Sequence, residues 1–588
     1  MKPITEASSE LPATGEDRPR RGQWLLLIFV GVLVVHRVPL LLTRGVDADE
    51  MQHLHGAYSI SRGLTPHVDY FEHHSSWFAW LLSWPLEVMG ANWSAIMFSR
   101  GLMAFTAAVG LCFTYALARR LSSGLVPAIA VALHATTLLF VEKSLEVRPD
   151  VPAAALWTLA VICTIDGLRG GPRRCFAAAG AALGFGLLFT FKLAFGAIGL
   201  GLTVLFLQLR AGGWRRVREG VPDLLTLVGW SALPVVLMFL SLAHQDQLAG
   251  FVEEVILGPL AWQQEVSPWT YVRVLIQGNP LLLAFGGLGL VQLLAVAWGR
   301  GDRCAAAAAL VFASASILVG WFTIPVPWPQ FLMPLWPLLA CAAAASLGQL
   351  TSIKAWPSLV GAAAGLSLVG GAAAWLGIHP GALFDPLLVG AVAAIVGLLV
   401  ALIAAHLGST AGFLVAGLVA CGAGAASARQ FPGEPVGTAL VSLGSLCLLG
   451  AAARARREDS LSVVATCALC SWPLVETARM AAVRPIDGFR QQFDFVASTL
   501  GDEDVVLTGW TGCAVFQPHA YRYFFLHSGM LGNLDEEEKG SAVLRVLESD
   551  PPAAVIRDAG TRGLGVEVQT FLDAHYVPSG VGEIWTKR

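Results

Sequence analysis

The sequence predicts a polytopic α-helical membrane protein that ends in a small α/β domain, and three observations predict it. Of 588 residues, 55% are hydrophobic and only 13% charged. With a mean hydropathy of +0.64, that balance belongs to chains whose solvent is largely lipid. Apolar runs of roughly 20 residues, the length that crosses a hydrocarbon core, recur from Trp24 onward. Beyond residue 484 the pattern changes to short polar and apolar alternations with Gly-Asp and Pro-Pro breaks. The net charge of −3 argues against a nucleic-acid partner.

The elements follow in order. Residues 1–22 read as a cytoplasmic tail, polar and basic-ended, without a small-residue cleavage site, so the first span is a retained anchor. Residues 23–483 read as a transmembrane domain of about 13–15 helices. Candidate spans lie at 24–42, 95–117, 124–141, 151–168, 175–190, 193–209, 223–243, 279–298, 304–322, 329–348, 357–376, 386–406, 411–427, 437–452 and 460–482. If they alternate, the clusters Arg18/Arg20/Arg21, Arg119/Arg120, Arg169/Arg173/Arg174, Arg210/Arg215/Arg216/Arg218, Arg300/Arg303, Lys354 and Arg454/Arg456/Arg457 share one side. The positive-inside rule makes that side the cytoplasm. An odd span count then puts the C-terminus outside, in a membrane expected to be a bacterial inner membrane. Cys112, Cys163, Cys341, Cys421 and Cys447 sit in apolar runs as small hydrophobes, and Cys467 and Cys470 read the same way. The tail holds only Cys513, which excludes a disulfide framework there.

Three outer segments exceed what a connection requires. The first, about 43–94, should carry an amphipathic helix at Gln52–Arg62 and a Trp/Phe/Leu-rich one at Ser76–Met89, both lying at the interface. A second, about 244–278, holds Glu253, Glu254, Trp262, Glu265, Trp269, Tyr271 and Arg273. The third, 484–588, should form the α/β domain, with helices at Asp487–Leu500 and Val566–His575 and strands at Val505–Thr508 and Ala553–Arg557. Ala- and Gly-rich stretches at 360–374 and 411–426 suit close helix packing.

Chemistry concentrates in the first outer segment. Asp47-Ala-Asp49-Glu50 stands just beyond the first span, where carboxylates must face water or a cavity. A solvated loop is the plainer reading of such a run. His53, His55, Asp69, Glu72, His73 and His74 crowd the same segment, a density that solubility alone does not explain. Arg148-Pro-Asp150 follows Glu142, Lys143 and Glu146 on the same outer side, and Lys192 interrupts two spans at their outer turn. Arg148 and Asp150 can pair with each other, and a lone lysine at a membrane edge can snorkel. Together, carboxylates and cations at one face form the inventory for an anionic lipid headgroup. Lys or Arg would hold a lipid phosphate, and a carboxylate would take the proton of an acceptor hydroxyl. The departing phosphate is a stable anion, so one base and one cation cluster suffice.

The order Asp49-Glu50, Gly63-Leu-Thr-Pro66, Tyr70-Phe-Glu72-His-His and a following aromatic run resembles the first outer loop of GT-C glycosyltransferases. Within them it is most similar to the protein O-mannosyltransferase and lipid A aminoarabinose transferase branch. Arg148-Pro-Asp150 matches that branch's second acidic position, and Lys192 its Thr-Lys element. The resemblance spans roughly the first 210 residues by motif and the remainder by architecture. It implies an inverting transfer of a sugar from a polyprenyl-phosphate donor to a hydroxyl of a lipid, glycan or protein acceptor. Asp49 would be the base, Glu50 its structural partner and Asp150 the second acidic residue of the catalytic set. Arg148, Lys192, Glu72, His73 and His74 would meet the donor.

The family often has a lysine where His73 or His74 stands here, a departure that favours a divalent metal at Glu72 and His73. His74 and His55 are further candidate ligands, although the spacing matches no closed zinc signature. No other cofactor is implied. The alternatives are a lipid-linked oligosaccharide ligase or polymerase, which would load a late outer loop, and a secondary transporter. A transporter would bury its charges at the membrane midplane in two related halves. The aromatic stretch Gly509-Trp510 to Tyr523-Phe-Phe-Leu-His527 either selects the acceptor or rests on the membrane.

Overall fold

A computed structural model describes residues 40–262, 267–299, 301–350, 486–510 and 512–588, with Leu27, Val30, Gly31, Arg37 and Val38 of the first span. The expected spans between 357 and 482, most of 24–42, Arg18/Arg20/Arg21, Glu265, Arg300, Lys354, Arg454/Arg456/Arg457 and the boundary at 484 lie outside the described residues.

Four described helices are long and apolar enough to cross a membrane: Trp93–Arg119, Asp150–Leu168, Leu193–His244 and Cys304–Thr323. Val126–Thr136, Arg174–Phe189, Pro280–Trp298 and Trp336–Leu350 are shorter apolar helices beside them. Their common core centres on Trp157 and Trp336, with the alanine runs Ala305–Ala309 and Ala340–Ala344. Trp157 Nε1 donates to the Pro334 carbonyl at 3.1 Å, satisfying the one polar atom its ring brings into that core. The described arginines of the expected basic clusters tie neighbouring helices together. Arg120 pairs with Asp166 at 2.5 Å, Arg169 donates to Asp302 O at 2.9 Å, and Arg210 donates to Ala297 O at 2.8 Å.

Four expected spans differ in detail. The 124–141 run divides at Thr137 (φ −57°, ψ 120°) into Val126–Thr136 and Leu138–Lys143. Thr136 and Thr137 both turn their hydroxyls back onto the preceding turn, at Ala132 O (2.8 Å) and Leu133 O (3.0 Å), competing with helix continuation. The 193–209 and 223–243 spans belong to one helical run, Leu193–His244, broken only at Gly212 and Gly213. Gly213 adopts φ 62°, ψ −151°, a conformation that side chains other than hydrogen resist. The 329–348 run is a 3-10 turn at Pro329–Leu332 followed by the helix Trp336–Leu350, since Pro329, Pro334 and Pro337 each remove a backbone donor.

Both helices of the first outer segment form, at Ala48–Ser61 and Ser76–Met89. The second keeps an interfacial character, with Trp80, Trp84 and Val88 exposed and Phe78, Leu82 and Leu86 buried. The first does not lie on an interface, because every residue from Glu50 to Ser59 is buried. The C-terminal domain covers it, and Gly512 (φ 71°) lies so close to Met51 that a Cβ there would fall 2.2 Å from the Met51 Cβ.

That domain is a four-stranded sheet in the order β1-β2-β4-β3, with β1 (Val506–Leu507), β2 (Ala554–Ile556), β3 (Tyr576–Pro578) and β4 (Ile584–Lys587). β1 runs parallel to β2, while β4 is antiparallel to both β2 and β3. Side chains alternate between the faces as strand geometry demands. Leu507 and Val555 pack on Val543, Leu547, Val568 and Leu572, whereas Val506, Ala554 and Ile556 pack on Val496. The helices Ile486–Thr499 and Val566–His575 match the expected elements.

Candidate active site

The site begins at a helix N-terminus. Asp47 caps Ala48–Ser61, accepting the Asp49 amide at 3.0 Å, so the carboxylates sit where free N–H groups favour negative charge. The chain around residue 148 then supplies a buried cation. Arg148 lies 2.7 Å from Asp49, 3.3 Å from Asp47, 3.3 Å from Glu146 and 3.5 Å from Asp150. These contacts carry the Arg148 pKa well above its ordinary value despite burial. Burial opposes ionisation of Asp49, but the charge of Arg148, with that of Lys143, outweighs it and holds its pKa below the usual value. Asp47 goes the other way: burial and the Glu146 charge raise it to about 6. Glu146, fully buried, is held at about 2, because Lys143, Arg44 and Arg148 overcome the cost of burying it.

Glu50 pairs with a different arginine. Arg100 grips it with two bonds, Nε to Oε1 at 2.6 Å and Nη2 to Oε2 at 2.7 Å. The same guanidinium donates to the carbonyls of Leu41, Arg44 and Gly45 at 3.1–3.2 Å. Arg100 therefore closes the end of the first span and clamps it to the first turn of the next helix. Sequence reading passed over Arg100, although an arginine within an apolar span is itself a signal. Arg44, Gln52, His53 and Glu146 were also not assigned roles.

Lys192 sits at the turn between Arg174–Phe189 and Leu193–His244, its Nζ 3.1 Å from the centroid of Phe331. No described carboxylate lies within ion-pair distance of it. Burial lowers its pKa to about 8, with Asp150 and Asp49 pulling upward and Arg148 downward. Lys192, Arg148, Asp150 and Asp49 thus lie within electrostatic reach of one another.

The third group is Glu72, His73 and His74, whose ligand atoms all lie within 4.8 Å of each other. Gln52 Nε2 reaches Glu72 Oε1 (3.1 Å), His73 Nδ1 (3.1 Å) and His74 Nδ1 (3.3 Å). Burial keeps His73 and His53 well below the ordinary histidine pKa, so both rings are neutral near pH 7. Glu72 Oε2 and Gln52 Oε1 are buried with no hydrogen-bond partner among the described residues. Neutral imidazoles, a carboxylate and orphaned oxygens are a donor set that fits a divalent cation such as zinc. His55 does not join them: its Nδ1 meets Val515 O at 3.0 Å and its ring packs on Phe524. His53 stands nearer, 4.6 Å from His74 between ring centroids.

The second outer segment and the tail complete the walls. Trp262 and His527 pack edge-on against His73, while Phe71 and Phe525 stack on it. A small apolar cavity, about 20 Å³, lies behind Gln52 between Ala48, Met51, Trp510 and Phe525.

A family model described as dolichyl-phosphate-mannose-protein mannosyltransferase matches residues 73–240. Among solved structures, the chain is similar to ArnT from Cupriavidus metallidurans bound to undecaprenyl phosphate. There the TM-score is 0.54, with 13% identity over 94% of this chain and 90% of that one. It is also similar to ArnT from the same organism in the apo state, with TM-score 0.56 and 14% identity over 96% and 97% of the two chains. No curated protein matches the sequence. The likenesses span nearly the whole chain, and the GT-C resemblance read from the first loop is borne out in the fold.

Proposed function

From a polytopic membrane chain that carries the GT-C fold, we propose a glycosyltransferase that moves a sugar from a polyprenyl-phosphate donor to an acceptor hydroxyl. The observation that carries this reading is Arg148, which holds Asp49 ionised while Lys192 stands nearby with no ion-pair partner among the described residues. The donor phosphate docks on Lys192 and shares Arg148 with the carboxylates, as a charge-assisted contact requires. Asp49 accepts the proton of the acceptor hydroxyl as its oxygen attacks the anomeric carbon. The bond from that carbon to the phosphate oxygen breaks, its electron pair leaves with the phosphate, and the anomeric centre inverts. Drawing Arg148 toward the phosphate weakens its hold on Asp49, which raises the basicity of Asp49 when it is needed.

Asp150 orients Arg148, and Glu50 anchors the loop through Arg100. Glu72, His73 and His74 line the donor side and would hold a divalent cation, which would supply further positive charge toward a phosphate. The site faces the outer aqueous side of a bacterial inner membrane, with the sheet domain of β1–β4 above it.

Lipid extracts from cells with and without the protein test this reading. Loss of the protein should make a polyprenyl-phosphate sugar accumulate, detected by mass spectrometry. A lipid-linked sugar pool unchanged in cells that lack the protein would overturn it.

A further inference from the structure

Three outer segments close into one hydrogen-bonded ring. Phe71 and Glu72 are neighbours in the first segment, and their amides point to different partners. Phe71 N–H donates to Arg522 O of the tail at 3.0 Å. Glu72 N–H donates to the Glu254 carboxylate of the second segment at 3.1 Å. Arg522 Nη2 then closes the ring on the other oxygen of Glu254, at 2.5 Å. Glu254 is buried, and it also receives His67 Nδ1 at 2.9 Å.

Two further features show that this junction is built and tight. Glu254 lies in a π-helical turn, Val252–Leu257, a rare geometry that re-aims side chains. Just before it, a Cβ on Gly250 would come within 2.4 Å of the His67 carbonyl, so only glycine permits the approach. His67 itself holds a positive φ of 65°, a conformation kept only where the surroundings enforce it.

We propose that Glu254 and Arg522 form a clasp that makes the donor-side geometry of Glu72, His73 and His74 conditional on the tail being docked. Resting on the function proposed above, it makes both positioning residues. The Glu72 amide is fixed by Glu254, and Glu254 is fixed by Arg522. Arg522 is half exposed at its side chain, so this is the link that opens first when the tail lifts. Opening exposes the donor side for loading and product release, and closing re-forms the arrangement that meets the phosphate.

Cys513 provides a reporter independent of transfer, being 1% exposed beside the Met51–Gly512 contact. In full-length protein, modification of Cys513 by a membrane-impermeant maleimide is followed by peptide mass spectrometry. Undecaprenyl phosphate serves as the binding probe in the same detergent. Arg522→Gln should speed labelling and weaken the probe's affinity, each about two- to fivefold, the scale of losing one partly exposed ion pair. Gly250→Ala should do the same, and Arg522→Lys should restore both readouts toward wild type.

Labelling at the wild-type rate in Arg522→Gln and Gly250→Ala would overturn the clasp. Faster labelling with unchanged affinity would also overturn it, because the tail would then open without touching the donor side. If the wild-type protein failed to bind the probe, the donor class would be at fault, and labelling would still decide the clasp.

Discussion

Arg148 Nη2 stands 2.7 Å from an Asp49 carboxylate oxygen, and the same guanidinium also meets Asp47, Glu146 and Asp150. A cation shared by four carboxylates is over-subscribed by negative charge. It can therefore turn toward an incoming phosphate and still remain paired. The arrangement also separates the carboxylates by exposure: Glu146, which no solvent reaches, keeps the cation buried, and Asp49 is partly open.

Asp49→Asn is expected to abolish transfer while leaving the fold intact. The amide keeps the volume and most hydrogen bonding but cannot take a proton, a loss of roughly 10² to 10⁴ in rate. Single-turnover transfer in detergent measures it, and turnover within a fewfold of wild type would remove Asp49 from the role of base.

Donor binding should fall as pH rises through about 8. Lys192 is lowered to about 8 by burial, so its charge is present below that pH and lost above it. Lys192→Arg keeps the cation at all accessible pH and should flatten the profile, whereas Lys192→Ala should bind weakly throughout. Titration of undecaprenyl phosphate between pH 6 and pH 10 checks this, and a pH-independent wild-type affinity would return Lys192 to a packing role against Phe331.

Two of the buried arginines, Arg100 and Arg148, should behave as structural members when removed outright. Arg100→Met leaves the 0% exposed Glu50 carboxylate without its bidentate partner, and Arg148→Ala strips the partner from Asp49. Each should destabilise by about 3–5 kcal/mol. Pairing Arg100→Met with Glu50→Gln should recover part of the loss. Lys192→Ala, which breaks no described ion pair, should melt close to wild type. Thermal melts in detergent compare the four, and an Arg100→Met protein as stable as wild type would contradict the clamp.

Much of this was legible in the sequence, and the misses share a cause. Helices such as Ser76–Met89 and Val566–His575 emerge at their expected bounds because local pattern decides them. Gln52–Arg62 was expected at an interface, but the tail covers it, and no local pattern in α-helical sequence reports a domain placed more than 400 residues away. β3 and β4 were missed for a similar reason: each is short, and their pairing gives them their form. In the site, residue types and shared membrane side could be read directly. The resemblance implies different tasks for Asp49 and Glu50, but which arginine each carboxylate meets could not be read, because Arg148 and Arg100 reach them from separate parts of the chain.

Glu72, His73 and His74 predict measurable zinc binding by purified protein. Neutral histidines must be available, so binding should weaken in acid as the imidazoles and carboxylate compete for protons. His73→Ala and Glu72→Gln should each lower affinity at least about tenfold, whereas His55→Ala should not, since His55 Nδ1 is engaged with Val515 O. Calorimetric titration of the metal alone distinguishes them, and equal affinity in all variants would place any bound zinc elsewhere.

Topology supplies the last expected outcome. Arg120, Arg169 and Arg210 meet at one end of the described helices, while Asp49, Arg148 and Lys192 are gathered within one electrostatic cluster at the other ends of the helices Asp150–Leu168 and Leu193–His244. A cytoplasmic reporter fused after Arg457 should therefore be active, and one fused at the C-terminus should be silent, because the expected span 460–482 separates them. The reverse pair of outcomes is expected for a reporter active only outside. The tail is packed on the first outer segment through Met51 and Gly512, so both must share one compartment. A C-terminus found in the cytoplasm would put the whole acidic cluster there too, and the donor would then have to be used on the inner face.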